Sequence, residues 1–160
     1  MQTRGIITED FCNYKLPSLF ISSIKCDFKC CKEQNLDISI CQNATLARTP
    51  ISNIDDNYIY ELYSQNNITK AVVIGGLEPF LQYDEIESLI STFREHDERC
   101  DFIIYTGYNP EEISEQIDKL KKYENIIIKY GRYIPNKQHK YDVTLGIELA
   151  SDNQYAEKIS

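Results

Sequence analysis

The chain is short of positive charge. Its 160 residues carry 17 Lys and Arg against 25 Asp and Glu, a formal net charge of −8. Phosphate backbones are gripped by clustered cations, so this balance argues against a nucleic-acid partner. The basic run at Lys119, Lys121 and Lys122 is brief. It closes an expected helix, where cations suit the dipole. Long apolar runs are also missing. No stretch approaches the roughly 20 apolar residues that a membrane-spanning helix needs, so no membrane partner is expected. The opening MQTRGIITEDFCNY lacks the apolar core of a signal peptide, and a cytoplasmic protein is the expectation. Internal repeats and long linkers are absent too. A single domain over residues 1–160 follows, long enough for a full hydrophobic core.

What is present points to a folded α/β chain. Hydrophobic residues make up 42% of the sequence, well above the disordered range. Short apolar runs at 18–24, 70–76, 101–107 and 125–131 read as strands. Between them lie polar segments with helical spacing. Residues 53–66 place Ile54, Tyr58, Leu62 and Ile59 on one side, with Ser52 or Asn53 as the cap and Asp55 and Asp56 in the first turn. Residues 83–96 carry Ile86, Leu89, Ile90 and Phe93. Residues 109–123 open with Pro110 and show Ile113, Ile117 and Leu120 as an inner face. Residues 141–149 read as a further strand of unassigned order. Strand–helix alternation of this kind implies a mainly parallel sheet with helices packed on it. The unbroken AVVI, FII and III runs suit strands covered on both faces.

In such sheets ligands bind beyond the carboxyl ends of the strands. All four strands end in chemically suggestive loops. The first leads into KCDFKCCKEQNLDISICQN, which holds four of the six cysteines. Thiolates favour zinc, Cu(I) and iron–sulfur clusters, and a cysteine cluster in a reducing compartment is more often a metal or redox site than a disulfide. Cys26, Cys30, Cys31 and Cys41 are enough in number for a closed structural zinc site. Adjacent cysteines tend to point apart, however, and a three-thiolate set of Cys26, Cys30 and Cys41 is easier to arrange. On cysteine count alone zinc and iron–sulfur stay open. Cys12 and Cys100 stand apart and read as small, partly buried residues. The second strand ends in GGLEPF, Gly75 to Phe80. Glycines there let backbone approach a ligand, and Pro79 stiffens the turn and leaves carbonyls free to accept from an ammonium group. The third strand ends in TGY and the fourth in YGR.

The combination resembles the radical S-adenosylmethionine superfamily, with cysteines after the first strand and a GGEP-type turn after the second. Cys26 and Cys30 hold the usual first spacing, with Phe28 between them. Ten residues separate Cys30 from Cys41, and CQN at Cys41–Asn43 marks where the pattern resumes. Leu77 stands where the usual turn has a glycine. More narrowly, YTGY at Tyr105–Tyr108, KYGRYI at Lys129–Ile134 and ASDNQ at Ala150–Gln154 are similar to segments of anaerobic ribonucleotide reductase activating proteins, the activases of glycyl radical enzymes.

That resemblance implies a small, incomplete (open) radical-SAM-type β/α barrel. It implies a [4Fe–4S] cluster on Cys26, Cys30 and Cys41, with Cys31 as the alternative third ligand. It implies an oxidoreductase working anaerobically, which cleaves S-adenosylmethionine to a 5′-deoxyadenosyl radical. The implied S-adenosylmethionine site comprises Gly75, Gly76, Glu78 and Pro79 around the amine, Phe28 near the adenine, Thr106 at ribose or carboxylate, and Lys129 and Arg132 at the carboxylate. Asn153 and Gln154 would line a partner surface. The implied partners are a glycyl radical enzyme and a one-electron donor such as flavodoxin or ferredoxin. Competing readings are a radical enzyme acting on a small molecule or peptide, a member that keeps the fold without the chemistry, and a non-enzymatic zinc-binding domain.

Overall fold

Five-residue apolar strands build the centre of the molecule. The structure is a computed structural model describing residues Met1–Ser160. Six strands form the main sheet: β1 (Ile6–Asp10), β2 (Ser18–Ser22), β3 (Ala71–Gly75), β4 (Asp101–Tyr105), β5 (Ile126–Tyr130) and β6 (Tyr155–Lys158). They lie in strict chain order across the sheet. Strands β2 to β5 are parallel, while β1 and β6 run antiparallel at the two edges. The sheet is therefore mixed and does not close into a barrel.

The parallel register puts Ile21, Ile74, Ile104 and Ile128 in one row across the sheet. Because side chains alternate along a strand, Phe20, Val73, Ile103 and Ile127 form the row on the opposite face. The first row joins the larger apolar cluster beneath the helices, and Val73, Ile103 and Ile127 join a smaller one. Both faces are covered, which explains the unbroken Val and Ile runs.

The helices are α1 (Lys29–Lys32), α2 (Asp56–Ser64), α3 (Tyr83–Glu95) and α4 (Ser114–Leu120). Ile86, Leu89, Ile90 and Phe93 of α3 are all buried in the larger cluster, as their spacing predicts. Ile113, Ile117 and Leu120 are buried as well. Tyr14, Leu145 and Leu149 cover the other face.

The structure departs from the sequence reading in three places. Residues 141–149 do not join the main sheet. They form a local hairpin, Lys140–Asp142 against Ile147–Leu149. The Asp142 carboxylate accepts from the Thr144 and Leu145 amides, and Gly146 at φ 72° turns the chain back. The last strand is β6 instead. Second, α2 starts later than expected. Ser52 and Asn53 pair with Gln2 and Thr3 in a short antiparallel ladder, so Asp55 takes the cap and accepts from the Asn57 amide at 2.9 Å. Its buried face is Ile59 and Tyr63, one turn apart, while Tyr58 is 53% exposed. Third, Pro110–Glu112 is a separate turn of tighter helix before α4. Cys12 is exposed and Cys100 is buried. No helix is long and apolar enough to cross a membrane.

Phe93 is the keystone of the helix-side core. It is fully buried and meets Tyr60 and Phe102 edge-to-face, with ring centroids 5.3 and 5.0 Å apart. Phe93→Ala is expected to cost about 3–5 kcal/mol of stability, read by urea denaturation.

Candidate functional site

Chain leaving β2, β3, β4 and β5 encloses one cavity of about 190 Å³ at their shared carboxyl ends. Cys26, Cys30, Cys31 and Cys41 all line it, and all are free thiols. The approach to the first cysteine is built like a continued strand. The Ser23 amide donates to Gly75 O at 2.8 Å, the Ile24 amide to Gln82 Oε1 at 2.6 Å, and Lys25 O accepts from the Glu78 amide at 2.9 Å. Cys26 therefore arrives beside the glycine turn. Phe28 then adopts φ 55°, a left-handed conformation uncommon outside glycine, and reverses the chain into α1. Its carbonyl accepts from the Cys31 and Lys32 amides. Helix α1 places the Cys30 and Cys31 sulfurs 3.9 Å apart. Asp37 accepts from the Ser39 amide and opens a tight turn over Ile38–Ile40, at whose end stands Cys41. The insertion that separates Cys30 from Cys41 is thus folded back, and Cys41 lines the same cavity as Cys26 and Cys30.

Burial pushes the Cys26 thiol up to about 11, against the pull of the Phe28 amide, which donates to its sulfur. Burial and then the neighbouring Cys31 push Cys30 up to about 12, and charge on Cys41 and Cys26 adds to this. No three Cys, His, Asp or Glu side chains gather around a point suited to a single ion.

The two glycines of the second loop have different tasks. Gly75 is a close-packing position: an added Cβ would sit 3.0 Å from Tyr105 Cβ. Its carbonyl is occupied by the Ser23 and Leu77 amides, and it does not line the cavity. Gly76 has φ 79°, and a Cβ there would meet Leu46 Cδ2 at 2.7 Å. Gly76 and Leu77 line the cavity, and their carbonyls accept no hydrogen bond within the protein.

Glu78 is 3% exposed. Its carboxylate accepts from the Phe80 amide (3.1 Å), the Thr106 hydroxyl (2.7 Å) and the Gly107 amide (2.9 Å). Burial lifts its pKa to about 7, although these three donors pull the other way. Glu78 fastens the loop after β3 to the loop after β4, and Thr106 spends its hydroxyl on that bond. Thr106 lines the cavity, whereas Pro79 and Phe28 do not. Pro79 instead opens the tight turn before α3.

Lys129 is 7% exposed and lines the cavity. Its ammonium donates to Gly131 O at 3.2 Å and makes no ion pair within 4.0 Å. Burial lowers its pKa to about 8, against the charges of Glu78 and Cys30.

Arg132 also lines the cavity, yet its guanidinium is committed elsewhere. It donates to Glu112 at 2.7 and 2.8 Å, to Glu33 at 2.9 Å and to Gly107 O at 3.2 Å. Lys29 adds a 3.0 Å pair to Glu112, and Arg132 holds the Glu112 carboxyl well below the usual carboxylate range. The Tyr108 hydroxyl donates to Asp27 at 2.8 Å, and Gln34 donates to Tyr133 O at 3.0 Å. These bonds clasp the cysteine loop to the loops after β4 and β5. Asn153 donates to Arg132 O and Gln154 to Gly131 O, so both brace the last loop, and Gln154 reaches the cavity wall.

Sequence reasoning missed this clasp. Glu33, Glu112, Asp27 and Gln34 look like solvated polar residues in sequence, and their partners lie 20 to 99 positions away. The only local hint was the capping pair Asn109 and Glu112.

Reduced thiols clustered at the carboxyl rim of a parallel sheet define a site for a soft metal centre. Comparison with protein families makes the centre specific. Residues 17–155 match the model of the 4Fe-4S single cluster domain, and the chain belongs to that family. It has a 4Fe-4S cluster domain, consistent with iron–sulfur function and compatible with a redox enzyme. No curated protein and no solved structure matches the chain.

The buried lysine sets a pH dependence. Below pH 8 Lys129 is charged in both folded and unfolded chains, and its burial cost is present in full. Between pH 8 and 10.5 the folded protein releases the proton first, so that cost fades as pH rises. Lys129→Met is therefore expected to stabilise the cluster-free chain by roughly 2–3 kcal/mol below pH 8. The gain should shrink towards pH 10.5 in parallel denaturant titrations.

Proposed function

We propose that the chain holds its cluster through Cys26, Cys30 and Cys41, and reductively cleaves S-adenosylmethionine to generate a glycyl radical on a partner enzyme of the anaerobic ribonucleotide reductase type. The observation that carries this reading is the cavity itself. Three half-buried thiols share it with the unbonded carbonyls of Gly76 and Leu77 and the unpaired ammonium of Lys129.

The donor set fits the group. Cysteine thiolates are the usual ligands of [4Fe–4S] clusters, and these three are free thiols that line one cavity. Cys26, Cys30 and Cys41 would hold the cluster, which when bound would supply one electron for cleaving the sulfonium C–S bond to methionine and a 5′-deoxyadenosyl radical. The chain's own residues do the rest. Gly76 and Leu77 carbonyls accept from the N–H groups of the methionyl amine. Lys129 pairs with the carboxylate, which relieves its unpaired burial. Glu78 holds the accepting turn against the β4 loop. Arg132 acts here through the clasp rather than on the ligand. The high thiol pKa values mean that ligation must expel protons, so loading should be favoured as pH rises.

In this reading the open mixed sheet is a small, incomplete radical-SAM-type barrel forming one domain. Its unclosed side leaves room for a partner's loop, whose backbone Cα–H would be the radical target. The electron would come from a flavodoxin or ferredoxin. Six unpaired cysteines suit a reducing compartment, the cytoplasm, and anaerobic operation.

The test is anaerobic purification and reconstitution with iron and sulfide. The expected result is [4Fe–4S] absorption and, under dithionite, conversion of S-adenosylmethionine to 5′-deoxyadenosine. Cys41→Ala is expected to lose the cluster, whereas Cys31→Ala keeps it. Tight colourless zinc with no cleavage would sink the reading.

A further inference from the structure

Among the buried apolar and thiol side chains, Cys31 and Leu77 belong to neither apolar cluster. A buried free cysteine normally packs as a small hydrophobe. Cys100 does so, within the helix-side core. Cys31 is 4% exposed, yet it lies against the cavity rather than in either core. Its backbone is pinned at both ends. The amide donates to Phe28 O at 3.0 Å, and the carbonyl accepts from Gln34 (3.2 Å) and Leu36 (2.9 Å) amides. These bonds hold the Cys31 backbone at the cavity wall. Its only polar neighbour is the Cys30 sulfur, 3.9 Å away.

A three-cysteine set leaves one iron of a four-iron cluster without a protein ligand. A fourth reduced thiol is already held in the same cavity. We propose that Cys31 is a fourth, exchangeable thiolate ligand of the cluster held by Cys26, Cys30 and Cys41. The inference rests on the cluster ligands assigned above and extends them to regulation of the same site. With no S-adenosylmethionine present, Cys31 closes the remaining iron and protects it. When S-adenosylmethionine enters, its methionyl ammonium gives one proton to the departing Cys31 thiolate, and the amine so formed takes that position together with the carboxylate. No electron moves in the exchange. The released thiol stays in the cavity wall, which Leu36 and Ile40 also line.

Two readouts test this, neither of them turnover. The first is oxidation of the anaerobically reconstituted protein with ferricyanide. A cluster with one thiolate-free iron sheds that iron and gives the electron paramagnetic resonance signal of a [3Fe–4S] centre. Wild type should resist, whereas Cys31→Ala and the near-isosteric Cys31→Ser should both accumulate the signal roughly ten-fold faster. Equal rates in all three proteins, each carrying its [4Fe–4S] absorption, overturn the inference and leave the three-cysteine assignment standing. The second readout is iodoacetamide labelling of Cys31, followed by peptide mass spectrometry. Labelling should be low in the loaded protein and rise on adding S-adenosylmethionine. Unchanged labelling overturns the exchange. If wild type takes up no [4Fe–4S] cluster at all, the cluster assignment fails and this inference with it, an outcome distinct from equal oxidation rates.

Discussion

Parallel strands that run in step must release their chain at one common edge. In this protein β2, β3, β4 and β5 pair without a register shift, so Ser22, Gly75 and the ends of β4 and β5 stand side by side. Every feature of the site follows from that constraint. The cysteine loop, the glycine turn, the Thr106 loop and the Arg132 loop have no other place to go. The sheet need not close for this to hold. Four neighbouring parallel strands with both faces covered are sufficient.

Within that frame, two electrostatic devices give the rim its shape. One is buried: the Glu78 carboxylate, with three donors, joins the β3 and β4 loops, while its amide reaches Lys25 on the cysteine loop. A carboxyl desolvated this far survives only because its oxygens are satisfied. The other is at the mouth, where Arg132 bridges Glu33 and Glu112. Neither device touches the cavity's free acceptors at Gly76 and Leu77. Packing and hydrogen bonding hold the walls, and the groups suited to a ligand are left unspent.

Lys129 shows the tension between stability and function in such a site. A buried ammonium with one carbonyl partner is costly. A chain selected for stability alone would place an apolar residue at this position. The cost becomes intelligible if an anion is to be received there, because pairing then offsets the desolvation.

Much of the fold was legible because its signals are local. Helix α3 announced itself through Ile86, Leu89, Ile90 and Phe93, and the four central strands through their apolar runs. The misreadings arose where a distant contact overrode a local signal. Ser52 and Asn53 looked like helix caps until Gln2 and Thr3 paired with them. Residues 141–149 looked like a sheet strand until Asp142 and Gly146 folded them on themselves. At the site, residue chemistry alone singled out the four cysteines and the glycine turn, because thiols and glycines are rare and their spacing is readable, whereas Lys129 entered only through the family resemblance. Residue chemistry did not separate the role of Gly75 from that of Gly76. The resemblance put Arg132 and Thr106 at a ligand, and in the structure both are bonded to protein partners.

The sequence by itself determined which segments become strands and helices, that their loops share a rim, and that the rim carries soft ligands. Side-chain period and residue chemistry are properties of short stretches, and no folding is needed to read them. Only the tertiary structure decided which polar groups remain free. That depends on pairings such as Arg132 with Glu33, 99 positions apart. It also decided that Cys31 faces the cavity instead of a core, because burial becomes a property of one residue only after the whole chain has packed around it.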